Sequence, residues 1–105
     1  MNIIESKNYK KSYTKLLKNR LKEKERIENI KSLFISKNTL FDVMNDPLHN
    51  IYHIEKLKNN RNDYSARVND KIRLIMIPVG NYPYNTLEIT DIIFDDIDNY
   101  HYERG

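Results

Sequence analysis

Basic residues are concentrated in the centre of the chain, where a turn brings two arginines together. From Lys56 to Arg73 there are six basic and two acidic residues. Asn69-Asp70-Lys71 has the composition of a tight turn, so we expect Arg67 and Arg73 to lie on facing strands of one hairpin. Guanidinium groups bind phosphate oxygens in pairs of hydrogen bonds. The spacing therefore predicts a phosphate clamp.

The residue types in this region and near the chain end suit RNA cleavage through the substrate's own 2′-hydroxyl. That reaction needs a base for the hydroxyl, positive charge for the crowded phosphate and an acid for the leaving 5′-oxygen. Glutamate, histidine, tyrosine and lysine can each transfer the proton, and arginine suits the electrostatic role. The candidate residues are Glu55, Lys56, Lys58, Arg61, Arg67, Lys71, Arg73, Tyr100, His101 and Tyr102.

Each candidate also has an interpretation without function. Arg73 lies in an otherwise apolar strand, where a buried charge would cost several kcal/mol, so we expect its side chain to reach a groove or solvent. Arg67 equally fits the solvent-facing side of an amphipathic strand. Surface positions also fit Glu55, Lys56, Lys58 and the near-terminal His101.

Several other chemistries lack their residues. The chain has no cysteine, which excludes disulfides and thiolate-bound metals. Gly80 and Gly105 are the only glycines, so there is no glycine-rich phosphate loop. His49 and His53 are four residues apart, but Pro47 precedes them and a third ligand is missing, so we interpret both as surface histidines. The sequence therefore predicts no metal and no cofactor.

Composition predicts one folded domain spanning residues 1–105, with an uneven charge. Apolar residues make up 39%, charged residues 31%, and the formal net charge is +3. Residues 7–26 carry nine basic and two acidic residues, whereas residues 88–105 carry six acidic residues and one arginine. This predicts either a positive surface for an anion such as nucleic acid or a solvated lysine-rich helix face. Without an apolar run of about 20 residues or a signal-like start, we expect a soluble cytoplasmic protein and no membrane partner.

The first half of the chain has helical patterning after one short strand. Asn2–Glu5 predicts a strand, and Ser6 is a candidate N-cap for the next helix. Apolar spacing predicts helices over Lys7–Asn19 and from Leu21 to Phe34, which together form a hairpin. One or two helical turns are expected within Ser36–Pro47, followed by a connecting segment over residues 48–62.

The second half has strand patterning. We predict strands over Tyr64–Val68, Ile72–Val79 and Thr86–Phe94, followed over Asp95–Gly105 by a short terminal helix or an extended tail. Clustered strands with helices on one side indicate an α+β fold with a mainly antiparallel sheet. The first strand must join this sheet, because a lone strand cannot satisfy its backbone hydrogen bonds.

The central segments resemble the toxins of the RelE/ParE superfamily. Glu55-Lys-Leu-Lys, then Asp63-Tyr-Ser-Ala-Arg-Val-Asn-Asp-Lys-Ile-Arg-Leu-Ile, is similar to the family's leucine-lysine step, its aromatic-Ser-x-Arg strand and its x-Arg-Leu strand. The opening strand and basic helix are also similar. The resemblance covers most of the chain, and it fits least well at residues 36–53 and 80–85.

The resemblance implies a β-α-α-β-β-β fold whose curved antiparallel sheet carries a helical hairpin on its convex face. It implies a toxin of a type II toxin–antitoxin system that cleaves messenger RNA on the ribosome and forms a hetero-oligomer with its antitoxin. The pattern is most similar to the YoeB branch, which implies Glu55 as general base, His101 or Tyr102 as acid, and Arg67 with Arg73 as the clamp. Binding of RNA phosphates is then expected from Lys56, Lys58, Arg61 and Lys71.

Two other functions fit parts of the sequence. A ParE-like inhibitor of DNA gyrase would have the same fold but would not need the proton-transferring pair. A small basic nucleic-acid-binding module is a third possibility, although the sequence shows no repeated aromatic residues of the kind that stack on single strands.

Overall fold

The first strand leads into a helix that is capped as the sequence predicts. In the computed structural model, which describes residues 1–58 and 62–99, the Ser6 side chain accepts a hydrogen bond from the Tyr9 backbone N–H at 3.0 Å. This bond satisfies one of the free N–H groups of the first helical turn. The helix ends near Leu17, and Asn19 then takes a positive φ of 64°, so the predicted end at Asn19 was slightly too late.

Four helices and five strands follow one another in the described residues. The helices are α1 (Lys7–Leu16), α2 (Leu21–Ile35), α3 (Leu40–Met44) and α4 (Leu48–Ile51); the strands are β1 (Asn2–Glu5), β2 (Glu55–Lys56), β3 (Tyr64–Arg67), β4 (Ile72–Pro78) and β5 (Asp91–Asn99). None of these helices is long and apolar enough to cross a membrane.

All five strands form one sheet in the order β1-β5-β4-β3-β2. The β1–β5 pair is parallel, and the other three pairs are antiparallel. The prediction of an α+β fold with a mainly antiparallel sheet that includes the first strand is therefore confirmed. β2 lies at one edge of this sheet and β1 at the other.

The core lies between one face of the sheet and the helices α1 and α2. Along β4, Ile72, Leu74 and Met76 alternate with less buried neighbours, as expected for a strand with one face in the core. Phe34 of α2 contacts Phe94 of β5 with ring centroids 5.9 Å apart in an edge-to-face arrangement. This packing holds α2 against one face of the sheet. The other face of the sheet carries polar side chains, among them Arg67 and Arg73.

The last strand begins and ends five residues later than predicted, at Asp91–Asn99 instead of Thr86–Phe94. Thr86–Phe94 was expected to form it, but residues 86–88 form a turn, in which Asn85 accepts a hydrogen bond from the Glu88 N–H at 2.8 Å. Leu87, one of the predicted apolar residues, is 59% exposed. The strand instead continues through Asp95–Asn99, which was predicted as a tail, because a register shift at Ile75/Met76 lets this acidic stretch pair with β4.

The connecting segment predicted over residues 48–62 also contains regular structure. It includes the four-residue helix α4 and the short edge strand β2. Both are too short for a periodic signal to appear in the sequence. Within Ser36–Pro47, the expected helical turns form α3, which Thr39 caps by accepting a hydrogen bond from the Asp42 N–H at 3.3 Å.

Candidate active site

The two central arginines are directly opposite each other on the β3–β4 hairpin. The Asn69 side-chain oxygen accepts hydrogen bonds from the backbone N–H groups of Lys71 and Ile72, each at 2.8 Å. This turn sets the register that pairs Arg67 with Arg73. Side chains of directly paired residues leave the same face of a sheet. The prediction that the turn brings these arginines together is therefore confirmed.

Arg73 connects three strands on this face. Its Nη1 atom donates a hydrogen bond to Glu55 Oε2 at 3.3 Å and another to Ser65 Oγ at 3.3 Å. Glu55 pairs with Ser65 in the register of β2 and β3, so all three side chains lie on the face of the sheet that carries Arg67. The sequence predicted Glu55 and Arg73 as candidates, whereas Ser65 was not among them.

The exposures of these residues differ in a way that suits a reactive site. The Glu55 side chain is 57% exposed and that of Arg73 is 21% exposed, while Ser65 is fully buried. Arg73 therefore reaches partly out of the sheet surface, as expected from the cost of burying its charge. Glu55 is open to solvent and can meet an incoming group.

Arg26 on α2 supports the Arg67 end of the hairpin, and sequence reasoning missed it. Its Nε donates to the Arg67 carbonyl oxygen at 3.0 Å and its Nη2 to the Ile51 carbonyl oxygen at 3.0 Å. Its guanidinium carbon lies 4.6 Å from the centroid of the Tyr52 ring. Burial lowers the pKa of Arg26, and the nearby positive charge of Arg67 lowers it further. The signal in the sequence was weak, because Arg26 is one of nine basic residues between 7 and 26.

The three described lysines that were predicted as phosphate ligands differ in their contacts. Lys56 follows Glu55 on β2, and its Nζ donates to the Asn62 side-chain oxygen at 3.1 Å. Lys58 and Lys71 are exposed. Arg61, Tyr100, His101 and Tyr102 lie outside the described residues, so the roles predicted for them stay predictions.

Acidic residues of β5 line the far side of the same region. Asp98 is paired with Arg73 in the β4–β5 register, and Asp96 is paired with Ile75. Asp96 accepts a hydrogen bond from the Ser12 hydroxyl at 2.7 Å. The site therefore has a basic side, formed by Arg67 and Arg73, and an acidic side, formed by β5.

The histidine pair does not form a metal site in the described part of the chain. His49 lies in α4, whereas His53 lies beyond the helix end with a positive φ of 50°, so the two do not share a helix face. Within residues 1–58 and 62–99, no group of three or more His, Cys, Asp or Glu residues could hold a metal ion.

The arrangement is suited to binding an anion and accepting a proton. Arg67 and Arg73 supply planar donors to phosphate oxygens. Glu55, hydrogen-bonded to Arg73, supplies an exposed carboxylate that can take a proton from a bound hydroxyl.

The fold is similar to that of crystal structures of YafQ from E. coli. YafQ from strain BL21(DE3) matches with a TM-score of 0.63 and 21% sequence identity, over 92% of this chain and 90% of that chain. A YafQ variant with one histidine replaced by glutamine matches with a TM-score of 0.62 and 19% identity, over the same shares of the two chains. No family model matches the chain, and no curated protein matches it in sequence. At this identity the likeness shows a RelE-like fold.

Proposed function

We propose that this protein is the toxin of a type II toxin–antitoxin system and cleaves messenger RNA on the ribosome. The observation that carries the proposal is the position of Arg73, which is hydrogen-bonded to the exposed Glu55 carboxylate and directly paired with Arg67. The RelE-like fold supports the proposal. The sequence resembles the RelE/ParE superfamily, and many members of that superfamily are ribosome-dependent endoribonucleases.

In the proposed reaction, Glu55 accepts the proton of a substrate 2′-hydroxyl. The 2′-oxygen then bonds to the adjacent phosphorus, and the bond from phosphorus to the 5′-oxygen breaks. Arg67 and Arg73 stabilise the negative charge that grows on the phosphate oxygens during this step. The leaving oxygen takes its proton from His101 or Tyr102, as the resemblance to the YoeB branch implies. The products are a 2′,3′-cyclic phosphate and a 5′-hydroxyl end.

The proposed partners are the ribosome, messenger RNA and a cognate antitoxin. The ribosome presents the messenger RNA, and Lys56, Lys58, Arg61 and Lys71 bind its phosphates. A cognate antitoxin covers the site and forms a hetero-oligomer with the toxin. The protein acts in the cytoplasm, where translated messages and ribosomes meet it.

A reconstituted cleavage assay tests this function. Purified protein is added to ribosomes programmed with a defined messenger RNA and, in parallel, to the same RNA without ribosomes. We expect cuts only with ribosomes, carrying 2′,3′-cyclic phosphate ends, and we expect Glu55→Gln to abolish them. Glu25→Gln, at an exposed position of α2, makes the same charge change away from the site and should cleave normally. Intact RNA in all reactions would overturn the proposal.

A ParE-like inhibition of DNA gyrase is the second candidate function. The acidic side of the site favours it, because Asp98, paired with Arg73, would repel RNA phosphates. This function predicts that messages stay whole while purified gyrase loses supercoiling activity, and that Glu55→Gln retains the inhibition.

A further inference from the structure

Tyr64 of β3 and two tyrosines of the loop between β4 and β5, Tyr82 and Tyr84, form a row leading from the core to the surface. The rings of Tyr64 and Tyr84 have centroids 6.4 Å apart, and those of Tyr84 and Tyr82 are 5.5 Å apart with an interplanar angle of 85°. Tyr64 is 6% exposed, Tyr84 is partly buried and Tyr82 is 53% exposed. The two inner rings therefore fix the position of an outer ring with about half of its surface in solvent.

A lysine from the edge strand lies against this outer ring. The Lys56 Nζ is 5.1 Å from the centroid of Tyr82 and is held by Asn62, whose side-chain oxygen accepts its hydrogen bond at 3.1 Å. An aromatic ring that is about half exposed, with an ammonium group over one face, offers two things at one place: exposed ring surface for a flat π-system and a positive charge for a phosphate.

This pair of residues lies next to the candidate active site, across the edge of the sheet. Glu55 and Lys56 are successive residues of β2, so their side chains point to opposite faces. β2 is an edge strand, so an extended chain that bends around this edge can contact Glu55 on one face of the sheet and Lys56 with Tyr82 on the other.

We propose that Tyr82 and Lys56 form a stacking site for an unpaired RNA base next to the phosphate that is cut. This inference rests on the proposed function and extends it, because it assigns residues that hold a flanking nucleotide. Tyr82 stacks on the base, and Lys56 pairs with the phosphate of the same nucleotide. Stacking on Tyr82 adds affinity for RNA to the charge contact of Lys56, on a surface that is partly acidic.

Burial raises the pKa of Tyr64 and of Tyr84, which agrees with the packing of these two rings beneath the outer one. Stacking on an aromatic ring tolerates any base, since every base has a π-face. No local sequence pattern indicates this site, because Tyr64 is far in the chain from Tyr82 and Tyr84 and meets them only in the folded structure.

Direct binding of a short RNA without ribosomes tests the inference apart from cleavage. The probes are a dye-labelled oligoadenylate of six nucleotides and an abasic oligomer with the same phosphates, and fluorescence anisotropy of each probe is measured with the full chain. We expect Tyr82→Leu to weaken oligoadenylate binding on the order of tenfold and to leave abasic binding unchanged. Tyr82→Phe should bind both probes as the unsubstituted protein does, because the ring is kept.

Matched variants separate this site from general effects. Leu87→Ala changes an exposed apolar residue near the same loop and should alter neither probe. Lys56→Ala should weaken both probes and reduce the salt dependence of binding, since it removes a phosphate contact. Unfolding curves of all variants should coincide, because Tyr82 and Leu87 are both more than half exposed.

Other outcomes would overturn the inference. Equal binding of oligoadenylate and abasic oligomer by the unsubstituted protein would mean that bases do not stack on it. Unchanged RNA binding in Tyr82→Leu, together with weakened binding of the antitoxin, would assign the ring to a protein partner instead. If the protein does not cleave RNA in the ribosome assay but still binds the probes in a base-dependent way, the proposed function is wrong and the stacking site is retained.

Discussion

Arg73 and Glu55 form an ion pair that spans a whole strand. The Arg73 Nη1 atom on β4 is 3.3 Å from Glu55 Oε2 on β2, and β3 lies between them. The contact passes over Ser65, which also accepts a hydrogen bond from Arg73. An ion pair this exposed contributes only about 0–1 kcal/mol to stability. Its value to the protein therefore lies in placing a carboxylate beside an arginine on the sheet surface.

Removing the Glu55 carboxylate should remove activity while preserving the fold. We expect Glu55→Gln to lower kcat for cleavage by about 10²–10⁴-fold, the usual contribution of a general base. The free energy of unfolding should change by less than about 1 kcal/mol, because Glu55 is 57% exposed. Single-turnover cleavage and urea unfolding measure the two quantities. Full activity in this variant would remove Glu55 from the mechanism.

Arg73 should not be replaceable by lysine. Arg73→Lys keeps the charge but loses the planar group that donates to Glu55 and Ser65 and that, in the proposed reaction, also binds a phosphate. We expect kcat/KM to fall by at least about tenfold. Arg20→Lys, at an exposed position before α2, is the matched control and should cleave normally. If Arg73→Lys cleaves as well as this control, a simple positive charge is sufficient at this position.

Arg26 should stabilise the fold around the hairpin. Arg26→Ala removes hydrogen bonds to the carbonyl oxygens of Arg67 and Ile51 and the contact with the Tyr52 ring. We expect the free energy of unfolding to fall by about 1–3 kcal/mol, measured by chemical denaturation. Lys22→Ala, at an exposed position of the same helix, should change it by less than about 0.5 kcal/mol. Equal stability of both variants would contradict the role given to Arg26.

The buried hydroxyl of Tyr9 should make stability depend on alkaline pH. Within the described residues this hydroxyl has no hydrogen-bond partner, and burial, together with the Glu5 and Glu28 carboxylates, raises its pKa. In the unfolded chain a tyrosine titrates near pH 10. The folded state resists this ionisation, so the contribution of Tyr9 to stability is complete below about pH 10 and falls as the pH rises further.

Tyr9→Phe isolates this effect. Near pH 7 its free energy of unfolding should equal that of the unsubstituted protein or exceed it by up to about 1 kcal/mol, because an unpaired buried hydroxyl is removed. Near pH 11 its advantage should grow by about 1 kcal/mol. Urea unfolding at both pH values measures the difference. A constant difference would show that Tyr9 ionises as freely in the folded state as in the unfolded chain.

The sequence predicted the elements whose patterns are long and local. Ser6 as an N-cap, the α2 helix and the β4 strand each have several residues with the expected spacing, and each formed as predicted. The last strand was placed too early because Leu87 lies in a turn and Ile89 is buried in the core without belonging to a strand, while the polar stretch after Phe94 has no strand pattern. Its pairing with β4 depends on a register shift that only the assembled sheet reveals.

The sequence predicted Glu55, Arg67 and Arg73 as candidates, but it predicted contact only for the two arginines, which share a hairpin. The turn at residues 69–71 was enough to bring Arg67 and Arg73 together. Ser65 and Arg26 join the site through contacts between distant segments, which leave no local pattern. The tyrosine row likewise depends on how the loop after Gly80 packs against β3.

The most direct test of the central claim is to map RNA 5′ ends in cells after brief expression of this chain, with and without an inhibitor that empties ribosomes of messages. If the protein is a ribosome-dependent endoribonuclease, new cuts appear inside translated messages, disappear when the ribosomes are emptied and are absent with Glu55→Gln. Whole messages accompanied by broken or gyrase-linked DNA would instead show that the protein inhibits gyrase and does not cleave messenger RNA.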